Sequence, residues 1–211
     1  MNKQIRSLGS IPFNHGTLLS YLGGYRRPND KIARMLANGD LIQLKKGQYV
    51  LGDEHRVTPV SLPLVANLLY GPSYVSLDFA LSWHGLIPEG VFEVSSVTTR
   101  RARRYDTPLG RFSYTRTFAD LYGVGIMMER NPDGSHFLIA SPEKALCDKV
   151  LFTRNLHATT TRTMHVFLED DLRIDFDVLS ELNLEPVRQC VATGHKPRQL
   201  RALCKVLEGL Q

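Results

Sequence analysis

The chain has 211 residues, 43% of them hydrophobic and 22% charged, which are ordinary values for a globular protein that can bury a core. No apolar run reaches the roughly 18 residues that a membrane-spanning helix needs. The first residues lack the apolar segment of a secretory signal, so we expect a cytoplasmic protein that makes no membrane contact. Its three cysteines, Cys147, Cys190 and Cys204, have neither zinc-site nor disulfide-framework spacing, and we expect no metal and no cofactor.

Positive charge is concentrated at the N-terminal end of the chain. Between Met1 and Gly52, eight Lys and Arg residues are accompanied only by Asp30 and Asp40, a net charge of +6, while the whole chain carries +5. A compact field of this kind attracts a polyanion, because phosphates that meet basic side chains release their condensed counterions. The distribution therefore predicts double-stranded DNA as the partner of this segment.

The same segment predicts two helices separated by a turn. Asn14 is a suitable N-cap for a short helix that ends at Gly23-Gly24. A second helix begins at Pro28-Asn29 and ends at Asn38-Gly39, and its apolar side chains recur at i, i+3 and i+4: Ile32, Met35 and Leu36. These apolar side chains are predicted to face the core, which leaves three polar ones for the outer face: Asn29, Lys31 and Arg34.

A basic-tipped hairpin is predicted next. The short runs Leu41–Leu44 and Gln48–Leu51 flank Lys45-Lys46-Gly47, a suitable turn. Helix, turn, helix and hairpin is the order of a winged helix-turn-helix, whose second helix lies in the major groove. We therefore predict a DNA-binding domain over residues 1–56, with Lys45 and Lys46 on phosphates. Its full set of candidate DNA-binding residues is Arg26, Arg27, Asn29, Lys31, Arg34, Lys45 and Lys46.

Residues 57–211 are predicted to form a larger domain, after a linker over residues 53–63. A helix from Val75 to Leu86 precedes four segments with strand patterns: Val91–Thr98, Arg111–Phe118, Val124–Met128 and His136–Ala140. Ser141-Pro142-Glu143 is then a strong helix start, and helical patterns fill most of the chain to Leu210. Strands first and helices after predict an α+β fold with an antiparallel-type sheet and C-terminal helices.

Four segments of this region follow the order found in one known family. They are Tyr70–Ser76 (YGPSYVS), Ala80–Leu86 (ALSWHGL), Thr107–Gly110 (TPLG) and Ile139–Asp148 (IASPEKALCD). With the basic N-terminal segment, they span most of the first 150 residues. On these motifs the chain resembles the AbiEi-type antitoxins of type IV toxin–antitoxin systems. The resemblance implies a bacterial transcriptional autorepressor, bound to the operator upstream of its own operon, whose C-terminal domain counteracts a cognate nucleotidyltransferase-like toxin in phage abortive infection.

A second basic surface is indicated in the larger region. Arg100, Arg101, Arg103 and Arg104 crowd between two predicted strands, and a predicted helix places three more cations on one face: Arg198, Arg201 and Lys205. Two interpretations stay open. The residues form a solvated loop and a salt-bridged helix face, or they provide extra phosphate contacts or a surface for an acidic toxin.

Two other functions remain as alternatives. The first is a metal-dependent DNA-cleaving enzyme, with Asp120, Glu143, Lys144 and Asp148 as its candidate residues. The chain lacks the strand-borne E-x-K arrangement of such nucleases, a phosphate-binding Gly-rich loop and a nucleotidyltransferase motif, so we expect no catalytic residues and no enzyme. The second is a plain winged-helix repressor whose C-terminal domain senses a signal or dimerises.

Overall fold

The structure is a computed structural model that describes residues 3–211, with side chains from Ile5 onward. The predicted first domain begins at Met1, and Met1 and Asn2 lie outside the described residues. The fold is of the mixed α+β type, as predicted. Within residues 3–211 the strands form one three-stranded and one six-stranded sheet.

The three-stranded sheet belongs to the N-terminal elements. In chain order these are α1 (Lys3–Arg6), β1 (Phe13–Asn14), α2 (His15–Tyr21), α3 (Pro28–Ala37), β2 (Leu41–Lys45) and β3 (Gln48–Leu51). The strands pair antiparallel in the order β1-β3-β2. Asn14 caps α2 by accepting a hydrogen bond from the Thr17 amide, and Pro28 begins α3. The two predicted helices and the hairpin are therefore confirmed, whereas α1 and β1 carry no signal that sequence analysis detected.

The hairpin of β2 and β3 contributes to two hydrophobic cores. Tyr49 and Leu51 on one of its faces join a small N-terminal cluster, which consists of Ile5, Phe13, Leu18, Leu22, Ile32, Met35, Leu41, Tyr49 and Leu51. Leu44 and Val50 belong to the large core of the rest of the chain. The alternation of strand side chains explains this division, because successive residues point to opposite faces. The N-terminal elements are thus anchored to the larger part of the protein through buried apolar contacts.

The larger part contains the six-stranded sheet and most of the helices. Its elements are a 3-10 turn (Asp53–His55), α4 (Leu62–Leu69), β4 (Ser73–Val75), α5 (Leu77–Trp83), β5 (Val94–Thr98), β6 (Arg103–Thr107), β7 (Gly110–Arg116), α6 (Ala119–Tyr122), β8 (Ile126–Arg130), β9 (His136–Ala140), α7 (Pro142–Phe152), α8 (Thr161–Val166), a π-helical turn (Phe167–Asp171), α9 (Phe176–Ser180), α10 (Leu184–Ala192) and α11 (Pro197–Glu208). The large core lies where the sheet packs against these helices, and α7 contacts α5, α10 and α11.

The six-stranded sheet is mixed, which corrects the prediction of an antiparallel-type sheet. Its order is β6-β7-β5-β4-β9-β8, and two of its pairs, β4 with β9 and β5 with β7, are parallel. The unpredicted strand β6 explains the second pair. It takes the sheet edge and turns back through Pro108 and Leu109 into β7, so that β7 runs in the same direction as β5.

Two further predictions need correction. The predicted linker over residues 53–63 overlaps the start of α4, which Ser61 caps by accepting a hydrogen bond from the Leu64 amide. Arg103 and Arg104, predicted between strands, lie on β6. The predicted helix start at Ser141 and the helical character of the C-terminal part are confirmed, since Ser141 caps α7 and four more α-helices follow within the described residues.

Candidate nucleic-acid interface

Helix α3 has a buried face and an exposed basic face. Ile32 and Met35 are buried in the small core, while Asn29 and Arg34 are exposed. Three further candidate residues lie beside them: Arg26 and Arg27 are exposed immediately before the helix, and the Lys31 ammonium lies 5.9 Å from the Tyr25 ring centroid. Arg27 forms one exposed contact with Asp30, 3.7 Å long. Exposed ion pairs of this type contribute little, so all five side chains are able to meet an external anion.

The two lysines at the hairpin tip have different surroundings. Lys46 is exposed and forms no ion pair within residues 3–211. The Lys45 ammonium instead donates to the carbonyl oxygen of Leu69, and Gln48 Nε2 donates to that of Leu68 at 3.0 Å. These carbonyls close the C-terminal end of α4, where positive charge is favourable. Lys46 therefore is the hairpin lysine that is free to contact phosphate, whereas Lys45 ties the hairpin to α4.

Part of the second basic surface lies beside the hairpin. The guanidinium groups of Arg100 and Arg103 each lie 5.8 Å from the Tyr70 ring centroid, and Arg103 also lies 5.6 Å from that of Tyr105. The Tyr70 hydroxyl donates to the carbonyl of Arg101 at 3.2 Å. Aromatic rings attract cations at these distances through cation–π interactions.

Lys45 joins this cluster to the hairpin. Its ammonium lies 5.7 Å from the Tyr105 ring centroid. Burial lowers the pKa of Lys45, and the positive charges of Arg103 and then Arg100 lower it further. Lys45, Arg100 and Arg103 thus meet around Tyr70 and Tyr105. Together with their exposed chain neighbours Lys46 and Arg101 they are hereafter called the basic face. None of the five forms an ion pair within the described part of the chain.

The two aromatic residues of the basic face were not among the predicted site residues. Tyr105 follows Arg103-Arg104 directly, and basic residues interleaved with aromatic ones are typical of nucleic-acid-binding surfaces. That signal was available in the sequence. Tyr70 had no comparable signal, because it meets Arg100 and Arg103 only through the pairing of the folded chain.

Arg104 lies on the other face of the sheet. In the pairing of β6 with β7, Arg103 is opposite Tyr114 and Arg104 is opposite Ser113. Arg104 lines a groove of about 1080 Å³ together with Ser113, Thr115, Lys149 and Arg154, and Arg103 and Tyr114 contribute to its lining as well. Lys149 is paired with Asp78 there, at 2.5 Å. The predicted arginine cluster is therefore divided by strand alternation, with one arginine directed away from the hairpin.

The remaining predicted cations occupy a separate place. Arg198, Arg201 and Lys205 lie on α11 as predicted, and they line a cleft with the segment Thr159–Thr161. No residue of α3, the hairpin or β6 lines this cleft. The structure thus brings together the hairpin and Arg100–Arg103 but not these three side chains.

Three of the four sequence motifs described above meet inside the large core. Asp148 is fully buried, and its Oδ2 accepts hydrogen bonds from the Tyr74 hydroxyl at 2.9 Å and the Ser76 hydroxyl at 2.7 Å. Its Oδ1 pairs with the Lys144 ammonium at 2.6 Å. His84 Nε2 lies 2.8 Å from the carbonyl oxygen of Ala140. These motif residues therefore connect α5, β4, β9 and α7 rather than form an exposed site.

The candidate residues of the nuclease alternative do not converge. Lys144 and Asp148 pair with each other at zero side-chain exposure, and Glu143 accepts hydrogen bonds from the Ser141 hydroxyl and the Asn183 amide. Asp120 pairs with His195 elsewhere, at 3.2 Å. Burial raises the pKa of Asp148, and the Lys144 charge opposes that shift. Across the described residues, no group of three or more His, Cys, Asp or Glu side chains is arranged to hold a metal ion.

Comparisons with known proteins identify no relative: no protein-family model and no curated protein matches the chain. Cys147, Cys190 and Cys204 are free and buried. Among the helices in the described residues, none has the length and apolar character needed to cross a membrane.

Proposed function

We propose that the protein is a DNA-binding transcriptional autorepressor and antitoxin of the AbiEi type. In this proposal residues 1–56 are a winged helix-turn-helix that binds the operator upstream of its own operon in the cytoplasm. Residues 57–211 are the antitoxin domain, which counteracts a nucleotidyltransferase-like toxin in phage abortive infection. The protein acts on DNA by binding and not by catalysis.

The observation that carries the DNA-binding part is the exposed face of α3. Two helices, α2 and α3, precede the β2–β3 hairpin, which is the order expected of a winged helix. Asn29 and Arg34 lie on the face of α3 that points away from the core, with Arg26 and Arg27 just before it. Arg can donate two hydrogen bonds to guanine and Asn can pair with adenine, so these side chains suit base recognition in the major groove.

The basic face supports a longer DNA footprint than one helix provides. Its five cations lie beside each other without a carboxylate partner within residues 3–211. Such charges repel one another in the free protein, and DNA phosphates would remove that repulsion. We therefore assign Lys46, Arg100, Arg101 and Arg103 to phosphate contacts that flank the bases read by α3.

The antitoxin part of the proposal depends on the sequence resemblance. The shared segments meet around Asp148, Tyr74 and Ser76 in the large core, so they specify how this domain packs. That placement supports a common fold with the AbiEi-type antitoxins at these segments. The surface that opposes the toxin would then lie outside them, on residues that differ more freely among proteins of one fold.

The alternatives have less support. A nuclease would need to bring its carboxylates to DNA, and the candidates Lys144 and Asp148 are enclosed in the core. The second alternative is a plain repressor with a sensing or dimerising C-terminal domain. It differs from our proposal only in that this domain counteracts no toxin. A toxin-like reading frame beside the gene, tested for growth arrest that this protein relieves, separates these two.

The DNA-binding part is tested with duplex DNA from the region upstream of the gene. Replacing Arg27 or Arg34 with Ala should each weaken specific binding by about 1–3 kcal/mol if the side chain reads a base. Fluorescence anisotropy against specific and random duplexes measures this. Arg188→Ala is the matched control, because Arg188 is an exposed arginine paired with Glu208 on the distant α10–α11 helices. Unchanged binding by the Arg27→Ala/Arg34→Ala double variant would contradict the proposal.

A further inference from the structure

The cleft beside α11 is a concave site that the proposed DNA interface does not use. Arg198, Arg201 and Lys205 stand on one face of α11 at i, i+3 and i+7 and line one side of it. The segment Thr159–Thr161, which leads into α8, lines the other side. Its volume of about 370 Å³ is at the lower end of the range for small-molecule sites, roughly 300–1,000 Å³.

Both sides of the cleft are held by the fold. Gln199 Nε2 donates to the carbonyl of Leu156 at 3.1 Å, which ties α11 to the chain just before the threonines. Thr160 caps α8, since its hydroxyl accepts from the Thr163 amide at 3.2 Å. Leu200 and Leu203 are fully buried on the opposite face of α11. The backbone positions that carry the cations and hydroxyls are therefore fixed by the fold before any ligand arrives, which lowers the entropy cost of binding.

The charge of the cleft is uncompensated. None of its seven lining residues is acidic, and none of its three cations forms an ion pair within residues 3–211. Nearby, Arg188 of α10 pairs with Glu208 of α11 at 3.1 Å, so the same helices do pair a cation elsewhere. The hydroxyls of Thr159 and Thr161 make no hydrogen bond in the described part of the chain and are able to donate to a ligand.

We propose that this cleft binds the phosphate groups of a small anionic ligand. Arg198 and Arg201 can each direct two N–H groups to phosphate oxygens, and Lys205 adds a point charge. The threonine hydroxyls complete the coordination from the other side. A di- or triphosphate, with two or more negative charges in a small volume, matches three cations better than an isolated phosphate does.

Calorimetric titration of the full chain with inorganic phosphate, pyrophosphate, ATP and duplex DNA tests the proposal. We expect pyrophosphate and ATP to bind with one-to-one stoichiometry and more tightly than phosphate. Arg201→Gln and Lys205→Gln should each weaken that binding by about tenfold, the effect of losing one charge-assisted hydrogen bond. Arg188→Gln, the matched exposed arginine, should bind as the unchanged protein does. A thermal melt of each variant verifies that the fold is retained.

Three results would overturn the proposal. The first is that no small phosphate binds, and the second is that the cleft variants bind pyrophosphate as tightly as the Arg188→Gln control. The third is that duplex DNA displaces pyrophosphate and that Arg201→Gln also weakens the binding of duplex DNA. The cleft would then bind phosphates of the DNA backbone and not a small ligand. Failure of the proposed DNA-binding function would leave this result unaffected, because the cleft shares no residue with α3 or the basic face.

Discussion

The N-terminal elements and the larger part of the protein differ in how their Lys and Arg side chains are exposed and paired. Of the Lys and Arg side chains that the structure describes in residues 5–51, five are exposed and two, Lys31 and Lys45, are partly buried. Their one contact with a carboxylate in this range is the weak contact of Arg27 with Asp30, at 3.7 Å. In the larger part, some cations are paired across elements, as Arg173 is with Glu89, or are enclosed, as Lys144 is with Asp148. The first arrangement is open to an external anion, and the second stabilises the fold.

In the larger part, the most informative cations are those that have no carboxylate partner and lie close to one another. Net charge over that region is close to neutral, so regional net charge alone does not indicate where an anion would bind. The ion pairs that individual cations form or lack are more informative than the net charge. Arg100, Arg101 and Arg103 lack partners and lie beside the hairpin, and the three cations of α11 lack partners in their own cleft. Unpaired cations that lie together, rather than regional net charge, are the basis for placing an anion at these two surfaces.

The largest effect is expected from breaking the buried pair. Lys144→Met leaves the Asp148 carboxylate without its counter-charge at zero exposure, and removal of one partner from a buried pair costs about 3–5 kcal/mol of stability. Urea denaturation measures the loss. Lys149→Met is the control, since Lys149 pairs with Asp78 at a partly exposed position, and such pairs contribute about 1 kcal/mol or less.

The same variant has a predicted pH dependence. Burial raises the pKa of Asp148 in the native protein, and Lys144 opposes that rise, so the pKa should rise further in Lys144→Met. A native carboxyl with a raised pKa binds its proton more tightly than the unfolded chain does. Stability of the variant is therefore highest below the unfolded pKa and falls as pH increases towards the folded one. A stability loss that is equal at pH 5 and pH 8 would show that Asp148 is not the group left uncompensated.

The second effect concerns the arginines of the basic face. Replacing Arg100, Arg101 and Arg103 with Gln removes three charges that we assign to phosphates. The salt dependence of log affinity for DNA should become shallower by about 3 units, and specific and random duplexes should be weakened alike. Anisotropy titrations over a range of salt concentrations measure the slope. Arg104→Gln/Arg154→Gln is the comparison, because both residues line the groove on the other face of the sheet. A loss confined to the specific duplex would instead assign base contacts to the three arginines.

The sequence predicted the elements whose signals are local. Asn14 and Ser141 are N-caps, Pro28 begins a helix, and the i, i+3, i+4 stripe of α3 is buried as expected. These features depend on residues a few positions apart, so they can be recognised without the tertiary fold. The order of two helices followed by a hairpin was therefore predictable.

The elements that were missed have weak local patterns. Strand β6, Arg103–Thr107, is an edge strand rich in charge, and the usual alternation of apolar and polar residues is faint in it. Helix α4 is apolar on most of its surface and contains Pro63 in its first turn, which favoured a linker. The basic face could not be derived from sequence, since Lys45, Tyr70 and Arg103 meet only after the hairpin packs against α4 and β6. Mistaking β6 for a loop also led to the wrong sheet type.

A smaller effect distinguishes the two hairpin lysines. Sequence analysis assigns phosphate contacts to both, which predicts a slope change of about 2 units when both are replaced. In the structure the Lys45 ammonium donates a hydrogen bond to the Leu69 carbonyl. Lys46→Gln alone should therefore make the salt dependence of log affinity shallower by about 1 unit. Lys45→Gln should mainly lower the melting temperature, because it removes the contact between the hairpin and α4. Equal slope changes for the two variants would mean that Lys45 leaves Leu69 when DNA binds.

The smallest effect is expected when a variant of this protein that cannot bind DNA is tested for relief of toxin-induced growth arrest. The full chain is the appropriate material, because Leu44 and Val50 of the hairpin belong to the large core and a fragment starting at Val57 would lose them. Arg27→Ala/Arg34→Ala/Lys46→Ala changes three side chains that are exposed and belong to neither hydrophobic core. If antitoxin action resides in residues 57–211, the triple variant should lose repression of a reporter yet relieve growth arrest as well as the unchanged protein. Colony counts with the neighbouring toxin-like gene induced measure this, and a strain without that gene is the control. Arrest that persists with a folded, soluble variant would place the antitoxin activity in DNA binding itself, and absence of any arrest to relieve would favour the plain repressor.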